Sequence, residues 1–292
     1  MVQYIENQYL KVGVHLHGGS LASIYDKEKC EELLYQPKPD SWQGQDIAIF
    51  PFIARLKDKV YTHKGQQYSL KNHGLARYYD FANVSKDKNF LHLRFESDER
   101  TLAEYPFPFV FDVEYVLEGK TLRIAYHVRN IGAETMPFGL GAHPAFQLDC
   151  IDKDGEWVLD GNQILFDRPL NLQQVIFEET GSFIVGERPY GVTDHVELSR
   201  ALFRQYETVA FRADDISHAT LKRKNGRKIR FDFPNIQYFI LWTFPKNGDF
   251  VAIEPWMSLP DFLDAPKEIM EKKTLIHLEP RQSYDFSYSL SI

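Results

Sequence analysis

Apolar and polar residues alternate along most of the chain, a period typical of β-strands that bury one face. LHLRFES (91–97) alternates in this way, and FVFDVEYVLEGKTLRIAYHVRNIG (109–132) holds two alternating runs joined by Glu118-Gly119-Lys120, which predicts a hairpin. Further strands are predicted in 220–233, 237–244, 250–256 and 283–292. One short helix, capped by Asp264, is predicted within 264–276.

Strand patterns dominate, and no linker, repeat or low-complexity segment divides the chain. A length of 292 residues would suit two domains of roughly 150 residues, but all-β sandwiches run to roughly 200–250 residues as one domain. We therefore expect an all-β protein with few short helices. Its predicted architecture is one large antiparallel β-sandwich domain spanning residues 1–292.

The amino-acid composition narrows the classes of molecule that the protein could bind. Aromatic residues make up 14% of the chain, which favours strands and also suits sugar recognition, because a flat ring offers an apolar face with polar atoms at its edge. The formal net charge of −7 argues against nucleic acid as a partner, since phosphate backbones need clustered Lys and Arg. The one basic run, Leu221–Arg230, has Asn225-Gly226 at its centre and is interpreted as a solvated hairpin tip.

The cysteines and the start of the chain bear on location. Cys30 and Cys150 match neither a metal spacing nor a disulfide framework, as expected in a reducing compartment. The first residues lack the basic and apolar regions of a signal peptide, and no apolar run approaches the roughly 18 residues of a membrane helix. The expectation is a cytoplasmic protein with no membrane partner and no metal.

Side chains that could bind a ligand or transfer protons interrupt the apolar pattern at four points. The first is an arginine, and the second is a histidine in a turn. Arg55 follows eight mostly apolar residues and is either a solvated strand end or a paired charge, since it cannot be buried alone. His73 lies in the turn sequence Asn72-His73-Gly74, with Arg77 four residues on. A histidine on such a loop is most often an ordinary surface residue.

The third point is the stretch PFGLGAHPAF (137–146), which contains His143. Glycines at 139 and 141 let the backbone approach another group closely, and Pro144 restricts His143 to an extended conformation. The imidazole is therefore either held in a defined direction for chemistry or packed in the core against a backbone carbonyl.

The fourth point is Glu254, which ends the apolar run Val251–Ile253 just before Pro255. A partly desolvated carboxylate has a raised pKa and is a better base near neutrality, although pairing with a structural arginine is the alternative.

The chain shows no metal spacing, no glycine-rich phosphate loop and no nucleophile motif. An acid and a base in a chain without a metal, phosphate-binding or nucleophile motif indicate proton transfer to and from a polar small molecule.

At these residues the chain resembles the aldose 1-epimerase (galactose mutarotase-like) family, most of all its shorter branch linked to lactose-utilisation operons. The likeness covers nearly the whole chain, and it is the motifs in order, rather than any one alone, that make it specific. They are HGGSLASIYDKEKCEELLY (17–35), SWQGQDIAIFPFIARL (41–56), HGLAR (73–77), GAHPAF (141–146), FVAIEPW (250–256) and LEPRQSYDFSYSLSI (278–292). Ala54 and Arg281 stand where the family pattern has glycine.

This resemblance implies a supersandwich fold and interconversion of the α and β anomers of a free aldose, such as galactose or glucose, without a cofactor. Glu254 would be the general base on the anomeric hydroxyl, and His143 the general acid on the ring oxygen. Arg55 and His73 would hold sugar oxygens. Arg77 and Trp256 would be further pocket members, and an acidic residue that grips sugar hydroxyls would be Glu207, Asp214 or Asp215.

Two other functions stay open. One is the same reaction on a hexose 6-phosphate, for which Arg55 and Arg77 would supply the cations. The other is a non-catalytic carbohydrate-binding protein on the same fold, because a fold alone does not determine function. The sequence leaves monomer and homodimer equally open.

Overall fold

Strands make up most of the computed structural model, which describes residues 1–153, 156–206, 208–245 and 248–292. The strands up to residue 130 are β1 (Val2–Glu6), β2 (Leu10–His15), β3 (Leu21–Asp26), β4 (Glu31–Glu32), β5 (Ala48–Ile49), β6 (Val60–His63), β7 (Gln66–Ser69), β8 (Ala82–Lys86), β9 (Phe90–Glu96), β10 (Phe109–Glu118) and β11 (Thr121–Asn130). The later strands are β12 (Met136–Phe138), β13 (Gly141–Ala142), β14 (Ala145–Gln147), β15 (Ile151–Lys153), β16 (Glu156–Val158), β17 (Asn162–Phe177), β18 (Ile184–Leu198), β19 (Thr208–Arg212), β20 (His218–Lys222), β21 (Lys228–Asp232), β22 (Tyr238–Trp242), β23 (Phe250–Trp256), β24 (Ile276–Leu278) and β25 (Ser283–Ser291). The helices are α1 (Glu99–Glu104) and α2 (Arg200–Tyr206), with 3₁₀ turns at Lys57–Lys59, Ala76–Tyr78 and Ile269–Glu271.

One antiparallel sheet of 15 strands organises the described chain. Its strands follow the order β5-β13-β23-β22-β19-β17-β20-β21-β25-β11-β10-β9-β8, with β14 also on β23 and β18 also on β17. Apolar residues from both ends of this order, such as Phe95 and Phe111 on one side and Phe239 and Ile253 on the other, belong to a single buried cluster. The sheet therefore folds over one core, which confirms the predicted all-β antiparallel sandwich.

The alternating runs became strands as predicted. The runs in 109–132 form β10 and β11, paired from Phe109↔Asn130 to Glu118↔Thr121. Each fully buried Phe or Leu on their inner faces stabilises the fold by about 1.5–3 kcal/mol relative to exposure. The short helices contribute few side chains to this core: α1 buries Thr101, and α2 adds Phe203.

The helix predicted in 264–276 is wrong. The segment has only the 3₁₀ turn at Ile269–Glu271, and Asp264 caps no described helix. Two tertiary contacts override the local preference: the Lys267 carbonyl accepts a hydrogen bond from Thr62 N–H, and the Lys272 side chain turns inward to a buried carboxylate. Helical backbone would break both contacts.

The basic run at 221–230 does form a hairpin, with Lys222 paired to Lys228, but it is not simply a solvated tip. Arg223 is buried and contacts Glu31 and Asp149. The pair with Glu31 connects the hairpin to β4, and the pair with Asp149 connects it to the segment after β14. The interpretation of the whole run as solvated is therefore wrong for Arg223. Within the described ranges, no helix is long and apolar enough to cross a membrane.

Candidate active site

A cleft with a volume of about 880 Å³, including its open mouth, collects the predicted site residues. Six of the seven line it: His143, Glu254, Arg55, His73, Arg77 and Trp256. Glu207, the seventh, lies outside the described residues, although the adjacent Thr208 is on the cleft wall. Asp214 and Asp215, the alternatives to Glu207, are exposed, do not line the cleft and pair with Arg212 and Arg168.

Strand register brings the histidine and the glutamate together. β13 and β14 both pair antiparallel with β23, with Gly141 opposite Trp256 and Ala145 opposite Ala252. The same register, continued between the two short strands, sets His143 opposite Glu254. Gly141 is required here, because a Cβ atom at this position would lie 2.8 Å from the Trp256 ring.

The two side chains are in direct contact. Nε2 of His143 lies 3.2 Å from Oε1 of Glu254, and both residues are buried, with 6% and 1% of their surface exposed. The other carboxylate oxygen, Oε2, accepts a hydrogen bond of 3.1 Å from the indole Nε1–H of Trp256. One oxygen of Glu254 is therefore oriented by the tryptophan, and the other faces the imidazole.

Burial controls the ionisation of this pair. It raises the pKa of the Glu254 carboxyl well above its usual range, and it lowers the pKa of the His143 imidazole to about 3. Both shifts disfavour charge, because a low-dielectric surrounding penalises carboxylate and imidazolium alike. Burial therefore favours the neutral form of the pair, in which the proton is on Glu254.

His73 lies beside this pair on a strained turn. Its φ is 62°, its ring is edge-on to that of His143 with 5.6 Å between centroids, and its Nδ1 accepts a hydrogen bond of 3.2 Å from Ala54 N–H. The ring proton is consequently on Nε2. Burial, followed by the neighbouring His143, lowers the pKa of His73 well below its usual value, so His73 is a neutral donor at working pH.

The two departures from the family's glycine pattern keep the backbone shape that glycine favours. Ala54 has a φ of 47° and Arg281 a φ of 66°, both in the left-handed region. A non-glycine residue there costs about 1–2 kcal/mol. Both positions therefore have a backbone conformation that glycine adopts at lower cost.

We expect Gly74→Ala to destabilise the turn that holds His73. Gly74 has a φ of 76°, and a Cβ atom would lie 2.5 Å from the Phe50 carbonyl oxygen and 2.6 Å from Pro51 N. The clash is with backbone, so overpacking and left-handed strain together should cost about 3 kcal/mol. Urea unfolding measures this, with Gly65→Ala as the control, because Gly65 also has a positive φ but open space around it. Equal losses in both variants would contradict a packing role for Gly74.

Arginines supply the positive charge of the cleft. The Arg55 guanidinium donates a hydrogen bond of 3.3 Å to the Ser182 hydroxyl, and Arg77 packs 5.1 Å from the Tyr78 ring centroid. Among the described residues, neither arginine has a carboxylate within ion-pair distance. Both are therefore available to oxygen atoms of a ligand.

Several cleft residues were missed by sequence reasoning. Trp42 and Trp242 have ring centroids 5.0 Å and 5.4 Å from that of His143, and Asn72 lines the cleft with a buried Oδ1 that has no hydrogen-bond partner among the described residues. Trp42 lies in a motif used for the family resemblance, and Asn72 precedes His73. Trp242 lay inside a predicted strand, and only the strand register turns it toward the cleft. The described residues contain no cluster of three or more His, Cys, Asp or Glu suited to a metal ion.

Comparison with known proteins agrees with the fold and identifies a family. The family described as Aldose 1-epimerase matches residues 1–291. A curated relative, Protein LacX (plasmid) of Lactococcus lactis subsp. lactis, is 28% identical over 296 residues, which cover 99% of this chain and 98% of that protein.

Solved structures share the whole fold. A galactose mutarotase related enzyme from Lactobacillus acidophilus has a TM-score of 0.92 and 26% identity, covering 100% of this chain and 97% of its own. A galactose mutarotase-like protein from Lactobacillus casei has a TM-score of 0.92 and 25% identity, covering 100% and 99%. With a family match over nearly all of its length, the chain belongs to the aldose 1-epimerase family.

Proposed function

We propose that the protein interconverts the α and β anomers of a free aldose such as galactose or glucose, with Glu254 as general base and His143 as general acid. The observation that carries the proposal is the 3.2 Å contact between Oε1 of Glu254 and Nε2 of His143 on the wall of an open cleft. The anomeric hydroxyl and the ring oxygen of a pyranose are bonded to the same carbon. A base and an acid that serve these two oxygens must therefore also be neighbours.

The reaction is a balanced transfer of protons. Glu254 takes the proton of the anomeric hydroxyl, the C1–O1 bond becomes a carbonyl, the bond from C1 to the ring oxygen breaks, and His143 protonates the released oxygen. Rotation about C1–C2 then presents the other face of the aldehyde. Closure reverses each transfer, so Glu254 returns its proton and His143 regains one.

The ionisation of the pair fits this cycle. Attack on the closed sugar needs a carboxylate and an imidazolium, whereas the open-chain aldehyde leaves a protonated Glu254 and a neutral His143. That second form is the one that burial favours. The pair therefore carries one proton before and after ring opening, and sugar hydroxyls that hydrogen-bond to the pair replace the solvation that the charged form lacks.

Other cleft residues would bind and orient the sugar. We assign to the Nε2–H of His73 and to the Arg55 guanidinium the role of donors to sugar oxygens, with Arg77 further along the wall. Trp256 orients Glu254 and offers an aromatic surface to the sugar ring. Proton transfer between these side chains and the sugar oxygens needs no cofactor, and we propose none.

A second candidate substrate is a hexose 6-phosphate. Arg55 and Arg77 both line the cleft without a carboxylate partner in the described chain, and unpaired guanidinium groups are suited to phosphate. Activity on hexose 6-phosphates that exceeds activity on the free sugars would favour this candidate.

Polarimetry tests the proposal directly. Freshly dissolved α-D-glucose, α-D-galactose and α-D-glucose 6-phosphate are followed with and without protein, each against its spontaneous rate. Faster loss of optical rotation with a free sugar supports the proposal. Sugar binding by calorimetry without any acceleration would instead support the carbohydrate-binding alternative.

The pH profile should reflect a pair that works with one shared proton. Below about pH 3 a second proton on His143 removes the acid–base couple, and on the alkaline side the raised pKa of Glu254 delays loss of the last proton. We expect kcat at pH 5 to remain within about threefold of its value at pH 7, with the alkaline decline above neutrality. Polarimetry in overlapping buffers measures this. A decline centred on the ordinary histidine pKa of about 6.5 would contradict the shared-proton pair.

We also propose a cellular location and an assembly state for the protein. We place the protein in the cytoplasm because both Cys30 and Cys150 are free thiols, as is usual in a reducing compartment. The catalytic pair, the tryptophans and the arginines of the cleft all come from one chain, so a monomer or a homodimer would each hold a complete site.

A further inference from the structure

Asp46 is a buried carboxylate directly behind the catalytic histidine, and the reaction above gives it no part. It does not line the cleft, and 6% of its surface is exposed. Its Oδ1 accepts hydrogen bonds from His143 N–H at 3.3 Å and from Ile47 N–H at 2.8 Å. Its Oδ2 accepts one from Leu21 N–H at 2.9 Å.

The segment that carries Asp46 holds the histidine turn at further points. The Gln45 carbonyl accepts a hydrogen bond of 2.9 Å from Ala145 N–H, two residues beyond the histidine. The Trp42 ring packs on the imidazole of His143 with 5.0 Å between centroids. Backbone on both sides of the ring, and one face of the ring itself, are therefore fixed by the segment from 42 to 47.

We propose that Asp46 is a positioning residue for the acid–base reaction: it fixes the backbone of His143 so that Nε2 meets Glu254, and its negative charge helps the pair to retain the shared proton. This inference rests on the proposed function. Asp46 acts through His143 and Glu254 and does not touch the sugar.

The charge of Asp46 faces a small set of titratable groups. Tyr115 of β10, Tyr126 of β11 and Tyr288 of β25 lie near it, and burial raises the pKa of each hydroxyl well above its ordinary value. These tyrosines stay neutral during the reaction. Glu254 of β23 is a further group near this charge, which adds to burial in raising the pKa of Glu254.

Asp46 itself is in a site that disfavours its charge. Burial raises the pKa of its carboxyl to about 6, although the three backbone N–H groups oppose that shift. The three backbone N–H groups that hydrogen-bond to the Asp46 carboxylate compensate for much of the free energy lost when that carboxylate is removed from water. The ionised form is consequently the main one at and above neutrality.

Two substitutions separate the positional role from the electrostatic one. Asp46→Asn keeps an oxygen that can accept the His143 N–H but removes the charge, so the alkaline decline of kcat should move to lower pH. Asp46→Ala removes the acceptor as well, and kcat should fall about 10- to 100-fold because the imidazole loses its fixed position. KM should stay within about threefold of wild type in both variants, since Arg55 and His73 are untouched.

Asp112→Asn is the matched control. Asp112 also has 6% of its surface exposed and is hydrogen-bonded, to His92 and Arg94, but it does not line the cleft or contact the histidine turn. This control should lose thermal stability without a change in the pH profile. If both Asp46 variants, folded by circular dichroism at the assay temperature, keep the wild-type kcat and alkaline decline, the proposal is overturned.

A measurement on the wild-type protein covers the case in which the variants do not fold. The backbone amide proton of His143 should shift in NMR spectra as the Asp46 carboxyl titrates between pH 4 and 8. A constant His143 amide signal across the titration of that carboxyl would overturn the positioning role. If the wild type accelerates no aldose, the proposed function fails, and the amide titration still decides whether Asp46 holds His143.

Discussion

Glu254→Gln and His143→Asn should each lower kcat by about 10²–10⁴-fold, the contribution typical of one positioned acid or base. Glutamine keeps the shape of the side chain and can still accept the indole N–H of Trp256, but it cannot take a proton. Asparagine at 143 removes the ring nitrogen that faces Oε1 of Glu254. Polarimetry above the spontaneous rate measures both losses.

Loss of activity in Glu254→Gln should not come from unfolding. The pKa of Glu254 is raised in the folded protein, so the unfolded chain releases this proton at lower pH than the folded chain does. Above the ordinary carboxyl pKa of about 4.3, stability therefore falls as the pH rises through the folded pKa of Glu254. Glu254→Gln removes this dependence, and its Tm at pH 8 should equal or exceed that of the wild type.

A surface carboxylate provides the control for this experiment. Glu134 is exposed, pairs with Lys64 and does not line the cleft, so Glu134→Gln should keep the wild-type kcat. Rates near wild type in Glu254→Gln or His143→Asn, with normal circular dichroism, would remove the acid–base pair as the mechanism. A loss in the control as large as in the site variants would point to a defect in the preparation.

The sequence predicted the strands well because their causes are local. Alternation in 109–132 is enough to form β10 and β11, whichever strands they later join. The same reasoning failed for 264–276, where Lys272 turns inward to a carboxylate 11 residues away. A helical preference of a few tenths of a kcal/mol per residue cannot compete with such a buried contact.

The site was predictable in part, and the part that was missed has a physical reason. Motif context singled out His143 and Glu254, but their contact depends on the register of β13 and β14 on β23, which no local pattern encodes. Asp46 and Trp42 precede β5 in a segment without regular structure. Their roles arise only from hydrogen bonds and ring contacts made to the histidine turn after folding.

The wall of the cleft that carries Arg55 and Ser182 depends on a buried ion pair that the sequence did not reveal. Lys272 Nζ donates to both oxygens of Asp261, at 2.7 Å and 2.8 Å, and the two residues are 5% and 3% exposed. Oδ2 of Asp261 also accepts Lys57 N–H at 2.9 Å, and its carbonyl accepts Ile184 N–H at 3.0 Å. Lys57 lies two residues after Arg55, and Ile184 lies two residues after Ser182. Asp261 therefore hydrogen-bonds to both chain segments that form the Arg55–Ser182 contact.

Lys272→Met should therefore cost about 3–5 kcal/mol of unfolding free energy, because it leaves the Asp261 carboxylate buried and unpaired. KM for the sugar should rise several-fold, because the segment that carries Arg55 becomes less ordered. The value of kcat should change little, since His143 and Glu254 are held by β13, β14 and β23. The double variant Lys272→Met/Asp261→Asn should recover much of the stability. An amide oxygen at 261 still accepts Lys57 N–H but carries no charge to desolvate. Urea unfolding of the two single variants and the double variant gives the coupling, and a cost below about 1 kcal/mol for Lys272→Met would show that solvent, rather than the lysine, compensates Asp261.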